Sequence, residues 1–425
     1  MTAEGTANPG ADSLRIHYLL QQFPVKTETF AISDIVALTA LGHRVTVSTL
    51  KWPRKNETEL EALCGVPPEL SIDRPAWANA AKWPALLWRR RKAAVSLTGR
   101  IVSRFASSPV AATQALLCLP RVIEIVDRTI LSEADVVHAF WSRHVGLVLP
   151  ALEKEGARPL RSAFAGAYDL VADDLLVDLT TASAHALFSH AEANRDYLER
   201  KAVDGAEIAI VLRGVPLPER SSSESRDPHR WITASALVPE KNVDGVIRAF
   251  ATFWREDPRL RLDVFGDGPE RERLERLADE LGCSEAVSLA GHIGREALRA
   301  EMDSSALFLF LSMKPSERLP NVLKEALWAG CAVVASRSEG IEELIPNEEI
   351  GFVVDPFNQQ EIHSAIRSAM SQSPEEVRAR QDKACAMIAE RFSAEGSMRK
   401  YVDAWRRAIA RRPRVKNAAK GVSEG

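Results

Sequence analysis

Short apolar runs of strand length alternate with longer helical patterns along this chain, and the alternation occurs twice. In the first half, predicted strands lie at 14–20, 44–50, 135–140, 161–165, 186–189 and 207–212. Helical patterns separate most of these strands, and crossover helices between strands produce a parallel sheet that is covered on both faces. The pattern therefore predicts an α/β fold for the first half.

A polar segment separates the two halves. The sequence from Pro216 to His229 is rich in proline, serine and charge, and it has too few apolar residues to pack. Beyond it the alternation resumes, with predicted strands at 231–235, 261–265, 286–289, 306–311, 331–335 and 351–354. We therefore expect two Rossmann-like, doubly wound domains that face each other across a cleft lined by the carboxyl ends of their strands, where such sheets bind ligands.

The length of the chain fits this division, because 425 residues correspond to two or three domains that each bury a core. We place the first domain at 1–215, a linker at 216–230 and the second domain at 231–392. A C-terminal helix is predicted at 393–410, and whether it crosses back to the first domain stays open. The tail at 411–425 has almost no large apolar residues and is expected to be disordered.

Charge and cysteine content narrow the class of protein. The formal net charge is −3, which argues against a nucleic-acid-binding surface over the whole protein. The five cysteines form no C-x-x-C pair, so a reducing compartment fits best. The N-terminus has no basic and apolar leader, and no apolar run approaches 18 residues. We expect a cytoplasmic protein that is at most peripheral to the inner face of a membrane.

The segment 312–330 is the most informative for function. A predicted strand ends at Leu311, a polar loop follows, and Pro320 suits the first turn of a helix. The free N–H groups of such a turn favour an anion. Glu317 lies in the loop and Glu325 in the helix, so the two carboxylates can flank one ligand. Taken without their neighbours, both would be read as solvated surface charges.

This segment has the form E-x-x-P-N-x-x-x-E, from Glu317 to Glu325, and resembles the signature of the family 4 retaining glycosyltransferases. Other similar motifs follow in the family's order: LVPEKN at 237–242 (phosphate loop), FGDGPERERLE at 265–275 (glycine turn), LAGHI at 289–293 (base-contacting loop), and EGIEELI at 339–345 with GFVVDP at 351–356. In the first half, FPVKTETF at 23–30 looks like the opening of glycosyltransferases from exopolysaccharide and colanic acid gene clusters.

The resemblance implies the GT-B fold and a retaining transfer of a sugar from a nucleotide diphosphate-sugar to a saccharide or lipid-linked acceptor, in cell-surface polysaccharide biosynthesis. It implies catalytic roles for Glu317 and Lys241. The donor-binding residues would be Glu325, Asn321, Pro320, Leu319, Gly268, His292 and Ile293, and the acceptor-side residues Thr27, Glu28, His138, Gly166, Tyr168 and Asp169.

Two positions depart from the family pattern. Many members have an arginine near the phosphate loop where this chain has Ala236, and a histidine where it has Gly166. Lys241 is then the remaining cation of the usual pair, unless Lys314, Arg318 or Lys324 supplies charge. These losses keep open a catalytically silent subunit that binds a sugar or a partner. For Gly268 and Lys241 an ordinary turn glycine and a first-turn lysine are the alternative interpretations. For His138, at the predicted end of a strand, a structural role is as good an interpretation as a functional one.

The sequence also bears on cofactors. No G-x-G-x-x-G follows the first predicted strand, which weakens the alternative of a Rossmann oxidoreductase. No D-x-D is present, so we expect no metal and no cofactor other than the nucleotide-sugar co-substrate. The charge of the leaving group would then be met by Lys241 and by helix N-terminal amides.

One segment of the first half is strongly basic. The stretch from Arg74 to Ile123 has nine basic residues and no acidic one, with Trp77, Trp83 and Trp88 among them. Cations beside aromatic rings suit the headgroup layer of an anionic bilayer. A helical insertion with buried tryptophans and solvated arginines explains the pattern equally well.

Overall fold

The structure is a computed structural model and describes residues 12–24, 29–51, 61, 66–166, 175–219, 226–314, 317 and 319–412. The chain forms two compact units. The first consists of the chain up to Arg213 together with the chain from Ser397 onward, and the second runs from Gly214 to Gly396.

The first unit contains a seven-stranded parallel sheet. Its strands are β1 (Arg15–Leu20), β2 (Arg44–Thr49), β3 (Ser71–Asp73), β4 (Val136–Phe140), β5 (Leu160–Phe164), β6 (Ala186–Ser189) and β7 (Glu207–Ile210). The spatial order is β3-β2-β1-β4-β5-β6-β7, and all neighbours pair in parallel. The order reverses direction between β1 and β4, which is the switch point where doubly wound sheets bind ligands.

Helices connect these strands because each parallel pair needs a crossover. They are α1 (Thr29–Ala40), α2 (Trp77–Ala80), α3 (Trp83–Arg89), α4 (Arg91–Val102), α5 (Pro109–Leu131), α6 (Val148–Lys154), α7 (Leu175–Thr181) and α8 (Arg195–Lys201). Among the described residues, α5 alone is long and apolar enough to cross a membrane, and 44% of its apolar window is buried inside the protein. Its second half also buries Arg121, Glu124 and Asp127, as a core helix does when its charges are paired.

The C-terminal helix α15 (Ala394–Arg411) packs on the first unit from Ser397 onward. The ring of Tyr401 stacks on Phe188 with 3.9 Å between centroids, and the indole N–H of Trp405 donates to Ser162 Oγ at 2.9 Å. The helix therefore contributes aromatic side chains to the core of a sheet whose contacted residues lie more than 200 positions earlier in the chain.

The second unit contains a six-stranded parallel sheet. Its strands are β8 (Asp227–Ala234), β9 (Arg261–Phe265), β10 (Val287–Gly291), β11 (Ser305–Phe310), β12 (Ala332–Ser336) and β13 (Phe352–Val354). The spatial order is β10-β9-β8-β11-β12-β13, so the switch point lies between β8 and β11. The connecting helices are α9 (Val243–Glu256), α10 (Arg271–Glu280), α11 (Arg295–Ser304), α12 (Asn321–Ala329), α13 (Gln359–Met370) and α14 (Pro374–Arg391).

Helix starts in the second unit use side-chain caps. Asn242 and Asn358 each accept a hydrogen bond from a first-turn amide of α9 and α13, and Ser373 with Glu376 forms a capping box at α14. The core between the helices and the sheet includes Trp231, which is fully buried.

The predicted fold class is confirmed: both units are α/β layers around an all-parallel, doubly wound sheet. The predicted strands are present with shifts of one or two residues at most ends. Two differences are larger. Strand β8 begins at Asp227, inside the segment that the sequence assigns to the linker, and the three-residue edge strand β3 has no apolar run that would predict it.

Candidate active site

The two predicted catalytic side chains meet at the switch point of the second sheet. Lys241 ends the short 3₁₀ turn Pro239–Lys241 after β8, and Glu317 lies in the loop after β11. The ammonium of Lys241 forms an ion pair with the Glu317 carboxylate, and it also lies 5.5 Å from the centroid of the Phe310 ring. Parallel strands that are neighbours in the sheet bring residues 76 positions apart into contact.

The backbone after Lys241 fixes this arrangement. Asn242 adopts the left-handed conformation with φ 51°, which asparagine tolerates better than most residues. Its side-chain Nδ2 donates to the main-chain carbonyl of Leu311 at 3.0 Å, so the loop after β8 is tied to the end of β11. Its side-chain Oδ1 accepts from the main-chain amide of Gly245 and caps α9. The position of Lys241 is therefore set by a buried hydrogen-bonded turn.

Glu317 is held from several directions. Ser312 Oγ donates to Glu317 Oε2 at 2.6 Å, and Ser338 Oγ donates to the main-chain carbonyl of Glu317 at 3.0 Å. The side chains of Glu317 and Lys241 are 18% and 20% exposed, so a ligand at this sheet edge can still reach the pair. The carboxylate is thus preorganised beside a cation.

Helix α12 begins one residue later than predicted. Pro320 occupies the cap position and Asn321 is the first helical residue, while Leu319 has a φ of 49° and is buried. The turn into the helix is therefore sharp. It places Asn321 at the N-terminus of α12, where the main-chain amides have no helical partners.

Lys324 does not serve as a surface cation. It is 1% exposed, its ammonium donates to Asn321 Oδ1 at 3.0 Å, and it lies 5.3 Å from the centroid of the Phe392 ring. The expectation that Lys324 could supply charge to a diphosphate is corrected, because its position inside the second unit commits it to orienting Asn321. Lys314 is half-buried in the loop after β11, and Arg318 lies outside the described residues.

Glu325 is paired with a residue that the sequence analysis missed. Arg295, the first residue of α11, donates from its guanidinium to Glu325 Oε1 at 2.6 Å. The side chain of Glu325 is 18% exposed and that of Arg295 is 35% exposed. The sequence signal was a cation two residues after the predicted base-contacting loop. Each of the two motif carboxylates thus has its own cation.

The glycine turn after β9 approaches the phosphate-loop segment closely. Gly266 has a φ of 127°, and a Cβ there would lie 1.8 Å from the carbonyl oxygen of Ser235. A Cβ at Gly268 would lie 2.3 Å from the carbonyl oxygen of Leu237, and the Gly268 amide donates to Asp267 Oδ1 at 2.9 Å. Only glycine fits either position, because the turn packs against the main chain of the segment after β8.

The remaining predicted donor-side residues follow β10. His292 is exposed and Ile293 is half-buried, in the loop between β10 and α11. The carboxyl ends of β8, β9, β10 and β11 therefore carry Lys241, Gly268, His292 and Glu317 at one edge of the second sheet. This edge is where the doubly wound topology places a ligand.

In the first unit, His138 is not an acceptor-side residue. It lies in the middle of β4, is fully buried, and contacts the rings of Tyr18, Phe188, Tyr401 and Trp405. Burial lowers its pKa to about 3, so the ring is neutral. Of the two interpretations that the sequence leaves open, the structure favours the structural one, because α15 covers this face of the sheet, which the local sequence does not reveal.

Gly166 lies at the carboxyl end of β5 against an aromatic ring. A Cβ at Gly166 would lie 2.5 Å from Trp141 Cζ3, and Trp141 itself has a φ of 75° at the end of β4. A histidine cannot occupy this place while the indole does. Four further predicted acceptor-side residues, Thr27, Glu28, Tyr168 and Asp169, lie outside the described residues.

Comparison with known protein families gives a match that lies within the second unit. Residues 219–385 match the family described as Glycosyl transferases group 1. The chain is similar to group 1 glycosyl transferases over this segment, which we call the group 1 domain. The resemblance to glycosyltransferases that the sequence motifs predict is therefore confirmed. The group 1 domain contains Lys241, Glu317, Glu325 and the glycine turn.

A curated relative that matches most of this chain has lower sequence identity than relatives that match only part of it. WcaL of Salmonella typhimurium, described as a putative colanic acid biosynthesis glycosyltransferase, is 23% identical over 407 residues, which cover 86% of this chain and 95% of WcaL. The MMP alpha-(1->4)-mannosyltransferase of Mycolicibacterium hassiacum is 31% identical over 221 residues, covering 51% of this chain and 52% of that protein. Matches to six curated relatives, the mannosyltransferase among them, cover between 19% and 52% of their lengths.

Solved structures show the same fold. HepE from Anabaena, crystallised with UDP, superposes with a TM-score of 0.63 at 16% identity, covering 92% of this chain and 99% of HepE. Sucrose-phosphate synthase from Thermosynechococcus elongatus superposes with a TM-score of 0.63 at 15% identity, covering 93% and 99%. At these identities the likeness establishes the fold, which is GT-B as predicted.

Proposed function

We propose that the protein transfers a sugar from a nucleotide diphosphate-sugar to a saccharide or lipid-linked acceptor, with retention of the anomeric configuration. The observation that carries the proposal is the pairing of Lys241 with Glu317 at the switch point of the group 1 domain. A preorganised cation at that place suits the charge that develops on a departing diphosphate.

The contacts around Lys241 and Glu317 suggest a separate role in donor binding for each site residue. Lys241 would leave Glu317 for the phosphate oxygens when a donor binds, because a diphosphate offers more negative charge than one carboxylate. Glu317, held by Ser312, would then lie beside the donor sugar. Glu325, oriented by Arg295, would accept hydrogen bonds from the ribose hydroxyls, which require an acceptor-only carboxylate.

The names of the relatives support a polysaccharide pathway. WcaL is described as acting in colanic acid biosynthesis, and LpsD of Rhizobium meliloti, 32% identical over 193 residues, in lipopolysaccharide core biosynthesis. HepE was crystallised with UDP and with UDP-glucose, which supports a nucleotide diphosphate donor. On this basis we propose a role in cell-surface polysaccharide biosynthesis. We propose a cytoplasmic location for it, at most peripheral to the inner face of a membrane.

We also propose that the reaction needs no metal ion. The cations at the sheet edge can meet the leaving-group charge, as Lys241 does for Glu317. An assay in excess EDTA tests this. Activity that is unchanged by chelation supports the proposal, whereas complete loss of activity that added Mg²⁺ or Mn²⁺ restores would overturn it.

A ligand screen tests donor binding before any acceptor is identified. A nucleotide that binds only the folded state increases the free energy of unfolding, by about 2.7 kcal/mol when its concentration is 100 times its dissociation constant. The melting temperature rises as a result. We expect one nucleoside diphosphate among those with uracil, guanine, adenine, cytosine or thymine to stabilise the protein. No stabilisation by any of the five would contradict the proposal.

A second candidate function is a catalytically silent sugar-binding subunit. The specific observation is that the Trp141 ring fills the place of a side chain at position 166, where many family members have a histidine. An assay without acceptor distinguishes the transferase from the silent subunit. It uses the nucleotide-sugar whose nucleoside diphosphate stabilises the protein, and it measures slow hydrolysis. An active transferase releases nucleoside diphosphate, and a silent subunit binds it without turnover.

A further inference from the structure

Helices α4 and α5 of the first unit pack on each other and expose large apolar side chains on both sides of the turn that joins them. On α4 the buried face contains Ala93, Ala94, Leu97 and Ile101. The opposite face exposes Val95 and Val102, which are 72% and 52% exposed. These two residues are seven positions apart and therefore share one face of the helix.

Further exposed apolar side chains follow in the turn after α4 and on α5. Phe105 in the turn is 44% exposed, and Val110 and Leu117 on α5 are 69% and 77% exposed. Val110 and Leu117 are again seven positions apart and share a face. Val102, Phe105 and Val110 lie within nine residues of chain, so one exposed apolar side chain lies in the turn and one on each side of it; we call this turn the tip. We call Val95, Val102, Phe105, Val110 and Leu117 the hairpin surface.

The basic residues of this part of the chain fall into two groups. Those nearer the core are paired: Arg90 with Asp127 and Glu155, and Arg121 with Asp73 and Glu124. The basic segment is therefore in part a structural charge network. These arginines are committed inside the first unit and cannot attract an external anion.

The second group of cations accompanies the hairpin surface. Lys92 and Arg104 are exposed and Arg100 is half-buried. Within the described part of the chain, no carboxylate lies within ion-pair distance of any of the three. The sequence places no acidic residue between Asp73 and Glu124, so this surface is apolar and positive.

We propose that the hairpin surface docks the protein on an anionic lipid bilayer. Apolar side chains at the tip would enter the boundary between headgroups and acyl chains, and Lys92, Arg100 and Arg104 would contact lipid phosphates. Trp88, which is 75% exposed with Arg91 5.5 Å from its ring centroid, adds an aromatic side chain suited to the headgroup layer.

Charge complementarity decides whether a second copy of the chain or a lipid bilayer binds the hairpin surface. A second copy of the chain docked on the same surface would oppose like charges, which is unfavourable. An anionic bilayer offers negative charge above an apolar layer, and the surface offers cations beside apolar side chains. The inference does not depend on the proposed sugar transfer, because vesicle binding is measured without donor or acceptor and can fail while the transferase activity stands.

Co-sedimentation of the full chain with vesicles tests the proposal. We expect binding to vesicles of phosphatidylcholine with about 30% phosphatidylglycerol and little binding to phosphatidylcholine alone. The binding should weaken as salt shortens the Debye length from ~10 Å at 0.1 M to ~3 Å at 1 M. Equal, weak sedimentation with both kinds of vesicle would overturn the proposal.

Two variants with matched controls locate the contact. The K92Q/R100Q/R104Q variant should lose at least tenfold of its partitioning to anionic vesicles, since each cation contributes about fivefold. The R248Q/R276Q/K400Q variant neutralises three exposed cations elsewhere and should bind as the wild type does. An equal loss in both triple variants would show a nonspecific charge effect and contradict the assignment.

The apolar contribution is tested separately. The V102S/F105S/V110S variant should also lose binding, whereas F357S, at a side chain that is 73% exposed in the second unit, should not. Because all these residues are exposed, melting temperatures should stay near that of the wild type. Full binding by V102S/F105S/V110S would exclude insertion of the tip and overturn the proposal.

Discussion

Lys241 and Glu317 form an ion pair although 76 residues separate them in the chain. The pair joins the loop after β8 to the loop after β11, the two strands on either side of the switch point. The positive charge of Lys241 is therefore balanced by the carboxylate of Glu317. In the proposed function a donor diphosphate would replace the carboxylate as the partner of the ammonium, and this exchange would couple donor binding to the release of Glu317.

Replacing Lys241 by alanine should reduce turnover by a factor of about 10²–10³, because a preorganised group at the leaving-group charge contributes about 3–4 kcal/mol to the barrier. Folding should be affected little, since the side chain is near the surface. Lys383→Ala is the control, because Lys383 is an exposed lysine that pairs with Glu349 at 2.6 Å, away from the sheet edge. Activity of Lys241→Ala within threefold of the wild type would assign the charge to another cation.

Replacing Glu325 by alanine should weaken binding of the donor nucleotide by about 10- to 150-fold, the equivalent of a charge-assisted hydrogen bond of 1.5–3 kcal/mol. Arg295→Ala should weaken it less, since Glu325 would remain but lose its orienting partner. Calorimetric titration with the nucleotide measures both. Glu280→Ala, at the end of α10, is the control on the same unit. Unchanged affinity in folded Glu325→Ala would remove Glu325 from the site.

Replacing Gly166 by alanine should destabilise the protein by about 1–3 kcal/mol, because the added Cβ would overlap the Trp141 ring. Gly99→Ala is a matched control, since a Cβ there meets no atom within 4 Å and alanine is the better helix former. Chemical denaturation measures both changes. A Gly166→Ala variant as stable as the wild type would show that the indole moves freely.

Acidification should reduce the free energy of unfolding between about pH 6.5 and pH 4. Burial lowers the pKa of His17 to about 4 and of His138 to about 3, so the folded protein keeps both rings neutral while the unfolded chain takes up protons. Each ring then contributes a loss of about 1.4 kcal/mol per pH unit in this range. Relative to the wild type, His138→Gln should show a shallower pH dependence and exposed His292→Gln should not. Identical slopes for His138→Gln and the wild type would contradict the buried neutral ring.

The sequence predicts the fold well because the buried strands are continuous apolar runs, and their alternation with helices determines a parallel sheet. The same topology predicts that Lys241 and Glu317 lie at one sheet edge. Arg295 was missed because its contact with Glu325 depends on how two helices pack. The role of His138 stayed open because the helix that covers it comes from the far end of the chain, and Lys324 was misplaced because its burial under Phe392 has no local signal.

The central claim is tested most directly by measuring nucleoside diphosphate release from nucleotide-sugars by the wild type and by Glu317→Gln, in excess EDTA. We expect the wild type to release the nucleoside diphosphate that also raises its melting temperature. The Glu317→Gln variant should still bind this nucleotide and release it at least tenfold more slowly. Equal release by both proteins, or no release from any nucleotide-sugar by folded wild type, would contradict the account.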